Sequence, residues 1–400
     1  KFFMNKIFFR LFFVFSIIWG LCYPVPLRYP IYIWITPLLL LSSKSFRDIK
    51  FLKFKRNFYL TIKNFLISKN CIFFIPIIFS IYLWEPYNFI YSVALIIFVL
   101  VIRRQFKYEY LEENDWIYKS CLISIVFVAL SIPFVGSFHE TVPASPGPYP
   151  EPSHLGFSLG PVLGLLTRKK KYSLLGIIGI AFFCIFSFSK SLILGYFFSL
   201  ILSTRLNFKL KSRKAAVLII IFLIIIISFK AIIMLRVEGL SENEIDYSIF
   251  ASSLIWFYWL KNSFLELLVN PLGMGPFGWL NSGLENPLLI PECNYEVLCK
   301  YSGEFVTSLN QRDLASLTAF GISSFGFLFP FYLFLLINRI CKNTINNSKN
   351  YFQLEPISIL LISYICIYMF RWTGFTAGPF LGLICLMPKK INILKPNFLK

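Results

Sequence analysis

Residues 205–233 read RLNFKLKSRKAAVLIIIFLIIIISFKAII, and the class of the fold is decided here. Five basic residues crowd the first ten positions, after which 215–233 is apolar apart from Ser228 and Lys230. An α-helix rises about 1.5 Å per residue and needs roughly 17–25 residues to cross the hydrocarbon of a bilayer. The run therefore reads as a membrane span entered from a basic connection, and basic connections mark the cytoplasmic side.

Composition extends this reading to the whole chain. Hydrophobic residues are 57% of 400, mean hydropathy is +0.70 and only 14% of residues are charged, so most of the chain must be dissolved in lipid. The expected fold is an all-α polytopic integral membrane protein, a single membrane domain over 1–400 with no soluble domain. Spans are expected near 7–23, 30–43, 70–84, 88–102, 118–136, 153–167, 172–188, 190–204, 215–233, 316–338, 355–370 and 374–388, about twelve helices. The first span follows early positive charge without a small-residue cleavage site, so it reads as retained rather than as a signal peptide.

The formal charge of +20 does not point to nucleic acid, which needs a basic face on a soluble domain. It is a sidedness signal instead. With the N-terminus and the basic connections 44–56, 103–119, 168–171, 205–214, 339–349 and 389–400 inside, and Lys63 and Lys69 counted with the first of these, 31 of 39 basic residues are cytoplasmic and 13 of 19 acidic residues lie outside. Both termini are then cytoplasmic. Three outer turns are very tight, at Glu85-Pro86-Tyr87, Phe188-Ser189-Lys190 and Arg371-Trp372-Thr373-Gly374. One kinked helix per pair would invert the parity and put basic loops outside.

Two outer segments carry the polar chemistry. Residues 139–160, HETVPASPGPYPEPSHLGFSLG, contain both histidines of the chain and a proline-rich loop over 138–152. Its prolines forbid continuous helix, and Pro152 suits the first turn of the helix that follows. Glu151 and His154, three apart, share a face there. The second segment, 234–315, is the one large extracytoplasmic loop, between helices 9 and 10. Its stretch near 249–268, IFASSLIWFYWLKNSFLELL, reads as an amphipathic helix on the membrane surface. Glu242, Glu244 and Asp246 read as a solvated loop rather than a metal site. The glycines of NPLGMGPFGW (270–279) lack the helix start of a nucleotide phosphate loop. Cys293 and Cys299 share this loop, and an oxidising compartment permits a disulfide between them.

The outer face of a membrane lacks nucleotide sugars, so an enzyme there must use a substrate that is already activated. A polyprenyl-linked pyrophosphate is such an anion, and recessed Lys or Arg residues are its natural partners. The outer basic residues are Arg28, Lys190, Lys230, Arg236, Lys261, Lys300, Arg312 and Arg371. Of these, Lys190, Arg312 and Arg371 stand beside membrane entries. Glycosyl transfer also needs a base for the acceptor hydroxyl, and Glu151 and His154 qualify by chemistry and position. The structural alternatives are a helix-capping carboxylate for Glu151 and a packing role for His154. Asp313, next to Arg312, is either its salt-bridge partner or a second acidic group.

The order of EPSHLGFSLG (151–160), SFSKSLILGYFFSLIL (187–202), NPLGMGPFGW (270–279) and QRDLASLTAFGISSFG (311–326) resembles the bacterial O-antigen polymerase (Wzy-type) family of the O-antigen ligase/polymerase superfamily. The resemblance implies a multi-pass protein of the bacterial inner membrane that polymerises undecaprenyl-pyrophosphate-linked oligosaccharides, with no metal or other cofactor. Partners implied are that lipid-linked glycan, membrane lipids, a chain-length regulator and a flippase. Glu151 and Ser153 match a Glu-Pro-Ser element, Ser189 and Lys190 a Ser-basic element, Gly273 and Gly275 a glycine element, and Asp313 and Ser316 the entry to the next helix. Arg236 joins the expected substrate-binding set. Lys190 stands where the family commonly has Arg, and no Arg follows Ser252-Ser253-Leu254. Two other readings remain: a ligase that transfers glycan to lipid A core, and a polyprenyl-saccharide flippase. A flippase predicts charges within mid-membrane spans and short loops on both sides.

Overall fold

The computed structural model describes residues 13–14, 115–134, 152–187, 189–203, 212–238, 253, 256–257, 260–261, 263–265, 267–273, 316–341 and 354–370. The expected spans near 30–43, 70–84, 88–102 and 374–388 lie outside these residues, as does most of 1–29. So do Glu151 and most of the 138–152 and 234–315 loops. The described residues are mostly helical. In chain order they form α1 (Asp115–Ser131), α2 (Pro152–Arg168), α3 (Ser173–Ser187), α4 (Lys190–Leu202), α5 (Ser212–Glu238), α6 (Leu317–Phe325), α7 (Phe329–Cys341) and α8 (Pro356–Tyr368).

Two segments, Lys170–Ser187 and Arg213–Leu235, are long and apolar enough to cross a membrane. The second is the stretch with which the sequence reading began. Its surface is apolar as well: Ile224, Ile225, Phe229 and Ile232 are more than half exposed, an arrangement that suits hydrocarbon better than water. The remaining apolar helices are shorter. A 13-residue helix such as α4 or α8 is about 20 Å long against about 30 Å of hydrocarbon.

The interior is built on α8 and α2. Every residue of α8 is buried, and so is α2 from Leu155 to Leu166. Around them pack α1, α3, α4 and α7, while α5 lies against α7. Inside lipid every polar group must be satisfied within the protein. Ser124, Thr167, Ser187 and Ser363 comply by donating their hydroxyl to the carbonyl four residues back, on Ser120, Leu163, Phe183 and Ile359.

The direction of the helices follows from which glycine faces which neighbour. A Cβ at Gly176 of α3 would fall 2.7 Å from the Thr167 nitrogen, and one at Gly179 would fall 2.5 Å from Leu163, so α3 runs antiparallel to α2. A Cβ at Gly160 would fall 2.6 Å from the Leu192 carbonyl oxygen, and one at Gly164 would fall 2.8 Å from Ser199, so α4 runs parallel to α2. The chain therefore reverses at 188–190. Small residues at every fourth position let two backbones approach this closely, and any side chain at Gly160 would drive them apart.

One expected span is broken. Residues 316–338 read as a single helix, but α6 ends at Phe325 and a 3-10 turn, Gly326–Leu328, precedes α7. Gly326 takes φ +55°, which L side chains rarely adopt, and its missing Cβ leaves room for the Pro271 carbonyl. The Phe327 amide donates to that carbonyl at 3.0 Å. A docked loop thus replaces the helical hydrogen bond at the break. The 249–268 stretch is helical at its described positions, which extend to Val269. Trp256, Phe257, Leu260 and Ser263 are buried, while Phe264, Leu265, Leu268 and Val269 are exposed. Both faces are thus largely apolar, as for a helix covered by protein on one side and lipid on the other.

Candidate functional site

Parallel packing of α2 on α4 brings two helix starts to the same end. Gly156, one turn into α2, abuts the hydroxyls of Ser189 and Ser191 and the Leu192 amide. Ser153 and His154 lie on the preceding residues of α2, as helical backbone. Ser189 is buried and occupies the N-cap position of α4; its Oγ is 2.6 Å from the Ser191 Oγ. Lys190, the first residue of α4, is exposed. The start of α2 at Pro152–His154 and the start of α4 at Ser189–Lys190 are therefore side by side.

The electrostatics of this corner favour an anion. Each helix start presents amide hydrogens and about half a positive charge, and two parallel starts add. Neither first turn contains an acidic residue. Lys190 is a cation placed at the positive end of a helix, which is locally unfavourable. A bound anion would reverse that sign.

A second corner forms where α8 ends. The Met369 carbonyl accepts the Thr318 hydroxyl of α6 at 2.8 Å and the Trp256 indole N–H at 3.2 Å. Lys230 of α5 sets its Nζ 4.2 Å from the Trp256 ring centroid and 5.7 Å from that of Phe370. Phe370 in turn stacks on Phe198 of α4, with centroids 6.5 Å apart. Arg371 is the next residue in the chain. Ser316 caps α6, its Oγ accepting the Ala319 amide at 3.2 Å. The turn at Asn270–Gly273 closes through the Gly273 amide on the Asn270 carbonyl at 2.9 Å, with Gly273 at φ 80°, and docks on Gly326 as described above.

α8 ties the two corners together. The Tyr364 hydroxyl donates to the Ser158 carbonyl of α2 at 2.7 Å, Tyr368 meets Phe157 edge to face, and Ile367 fills the space over Gly195 of α4.

Of the sequence-derived candidates, Ser189 and Lys190 are described in full; Ser153, His154 and Arg236 are described as backbone only. Glu151, Arg312, Asp313, Arg371, Gly275, Cys293 and Cys299 lie outside the described residues. The described thiols Cys121, Cys184, Cys341 and Cys366 are free. Among the described residues no cluster of His, Cys, Asp and Glu could hold a metal ion. Three residues of this region were not singled out from sequence: Lys230, Trp256 and Thr318. A Lys set deep in the apolar run 215–233 of α5 is the signal that would have found the first. The other two act through a backbone carbonyl far away in sequence and leave no local signal.

No family model matches the chain, and neither do any curated protein or solved structure.

Proposed function

We infer that this protein polymerises undecaprenyl-pyrophosphate-linked oligosaccharide repeat units at the outer face of a bacterial inner membrane. One observation supports the reading above the others. The described parts of the four sequence segments that resemble the polymerase family meet in pairs, 152–160 against 189–202 and 270–273 against 316–326, with α8 joining the pairs. Motif-bearing segments far apart in sequence are thereby gathered beside the end of α8, as residues that frame one site would be.

In this reading the donor pyrophosphate is held by Lys190, Arg312 and Arg371, with Ser153 and Ser189 contributing at the helix starts and Arg236 from the last turn of α5. Glu151 or His154 takes the proton of the acceptor hydroxyl, and Asp313 is the further acidic group. The acceptor oxygen attacks the anomeric carbon of the donor glycan. The bond from that carbon to the pyrophosphate oxygen breaks, and undecaprenyl pyrophosphate leaves. The cations offset the charge that develops on the departing oxygen.

The test is replacement of Glu151 by Gln and of Arg371 by Ala, followed by gel analysis of surface polysaccharide. Long-chain polymer should disappear in both variants at normal protein level; its retention in both contradicts the reading. Deleting the protein separates the neighbouring activities. Loss of a polymerase leaves single repeat units on the lipid A core, loss of a ligase leaves the core bare, and transport of labelled substrate without a new glycosidic bond indicates a flippase.

A further inference from the structure

The connection at the opposite end of the α2–α3 hairpin takes no part in the chemistry above. Arg168, Lys169, Lys170 and Lys171 are all exposed there. A basic connection alone needs no structure, since positive charge on the cytoplasmic side is the ordinary rule for a membrane protein. This one is built.

Tyr172, buried, stacks on Tyr118 of α1, with centroids 6.0 Å apart and planes 16° from parallel. Lys169 Nζ lies 5.2 Å from the Tyr118 centroid, and Lys171 Nζ lies 5.4 Å from the Tyr172 centroid. Asp115 is the carboxylate of the cluster. It pairs with Lys119 at 3.2 Å and accepts the Tyr172 hydroxyl at 3.3 Å, which orients the ring. Each lysine is thus drawn to the face of a tyrosine by the ring quadrupole, and the two tyrosines are locked together. Two ammonium groups that would otherwise sweep through water are held on neighbouring rings.

The surface beside them completes the pattern. On α3 Leu174 and Ile178 are 68% and 55% exposed, and on α1 Ile123 and Phe127 are 56% and 50% exposed. Both helices pack on α2, and these exposed apolar side chains follow Tyr118 and Tyr172 within about three turns along their helices. That is the shape of a phospholipid turned inside out: charge at the headgroup level and hydrocarbon beneath it.

We propose that Lys169 and Lys171 form a binding site for an anionic phospholipid of the cytoplasmic leaflet, whose acyl chains lie along α1 and α3. Two ammonium groups favour an anionic headgroup, such as diphosphatidylglycerol with its two phosphates, over a zwitterionic one. The site rests on the membrane-spanning reading of the chain and is independent of the glycosyl-transfer reading.

The experiment is native mass spectrometry of the purified full-length protein released from detergent with equal amounts of diphosphatidylglycerol and phosphatidylcholine. The wild type should retain the two-phosphate lipid about tenfold better. The K169Q/K171Q double variant should lose that preference, while R168Q/K170Q, of identical net charge, should keep most of it. Equal loss in the two double variants overturns the proposal, because bulk charge would then suffice. Equal retention of both lipids by the wild type overturns it as well. Tyr118→Leu preserves every charge and removes only the ring under Lys169; undiminished preference in that variant also counts against the site. Finally, millimolar inorganic pyrophosphate should leave the melting temperature unchanged where the lipid raises it. An equal rise would assign the site to a soluble anion and sink the lipid proposal.

Discussion

At one end of the α2–α3–α4 unit, Lys169 and Lys171 stand over stacked tyrosines with a carboxylate close by. At the other, Lys190 opens a helix among hydroxyls and glycine backbone, with no acidic residue in either first turn. The same side chain does different work at the two ends. Where its surroundings contain rings and a carboxylate, the ammonium is held in place at the end of the hairpin and the cluster orders a loop. Where it opens a helix, its surroundings add positive potential, which suits an anionic ligand.

The largest effect that breaks this contrast is on polymer length. Glu151→Gln should lower turnover by about 10²- to 10⁴-fold, the range for losing a general base, and Lys190→Ala should shorten the polymer severely. Lys169→Ala, at the other end, should leave chain length near wild type in the same gel assay. Equal defects at both ends would mean that the ends are not distinct in function.

The next effect is on stability. Gly160→Leu should cost about 1–3 kcal/mol by overpacking α2 against α4. Ile225→Leu, on the exposed face of α5, should cost almost nothing. Thermal melts of the solubilised protein compare the two directly.

A smaller and more pointed effect concerns the Met369 carbonyl. Thr318→Val and Trp256→Phe each remove one of two donors to the same acceptor, so each single change leaves it satisfied and costs about 1 kcal/mol or less. The double variant should cost more than the sum, since it strands a buried carbonyl. Strict additivity in a double-mutant cycle would refute the shared-acceptor account.

The smallest effect is at Asp115. Its hydrogen bond from Lys119 holds its carboxyl below the ordinary range; burial opposes this, and the charge of Lys171 and the Tyr172 hydroxyl reinforce it. A depressed carboxyl contributes stability above the ordinary carboxylate pKa and loses it as pH falls through the lowered value. The melting difference between wild type and Asp115→Asn should therefore be constant near neutrality and close at strongly acidic pH. A difference that grows on acidification would contradict the assigned sign.

Much of the helix placement was legible in the sequence because apolar length and flanking charge are local properties. Residues 153–167 and 190–204 were expected to span, and α2 and α4 run over Pro152–Arg168 and Lys190–Leu202. What was not legible depends on partners remote in the chain. The spacing of Gly156, Gly160 and Gly164 is visible, but the face of α4 that fills it is not. The break at Gly326 has its cause at Pro271, 55 residues earlier. Likewise Lys230 looked like one more outer basic residue, and only Trp256 and Phe370 beside it mark it out.

The opposition of the two ends across a membrane is tested most directly by single-cysteine labelling in a cysteine-free background. With a membrane-impermeant thiol reagent, Ser153→Cys and Lys190→Cys should react from the outer side of intact cells, and Lys170→Cys only after the membrane is opened. Labelling of Lys190→Cys and Lys170→Cys from the same side would contradict the account.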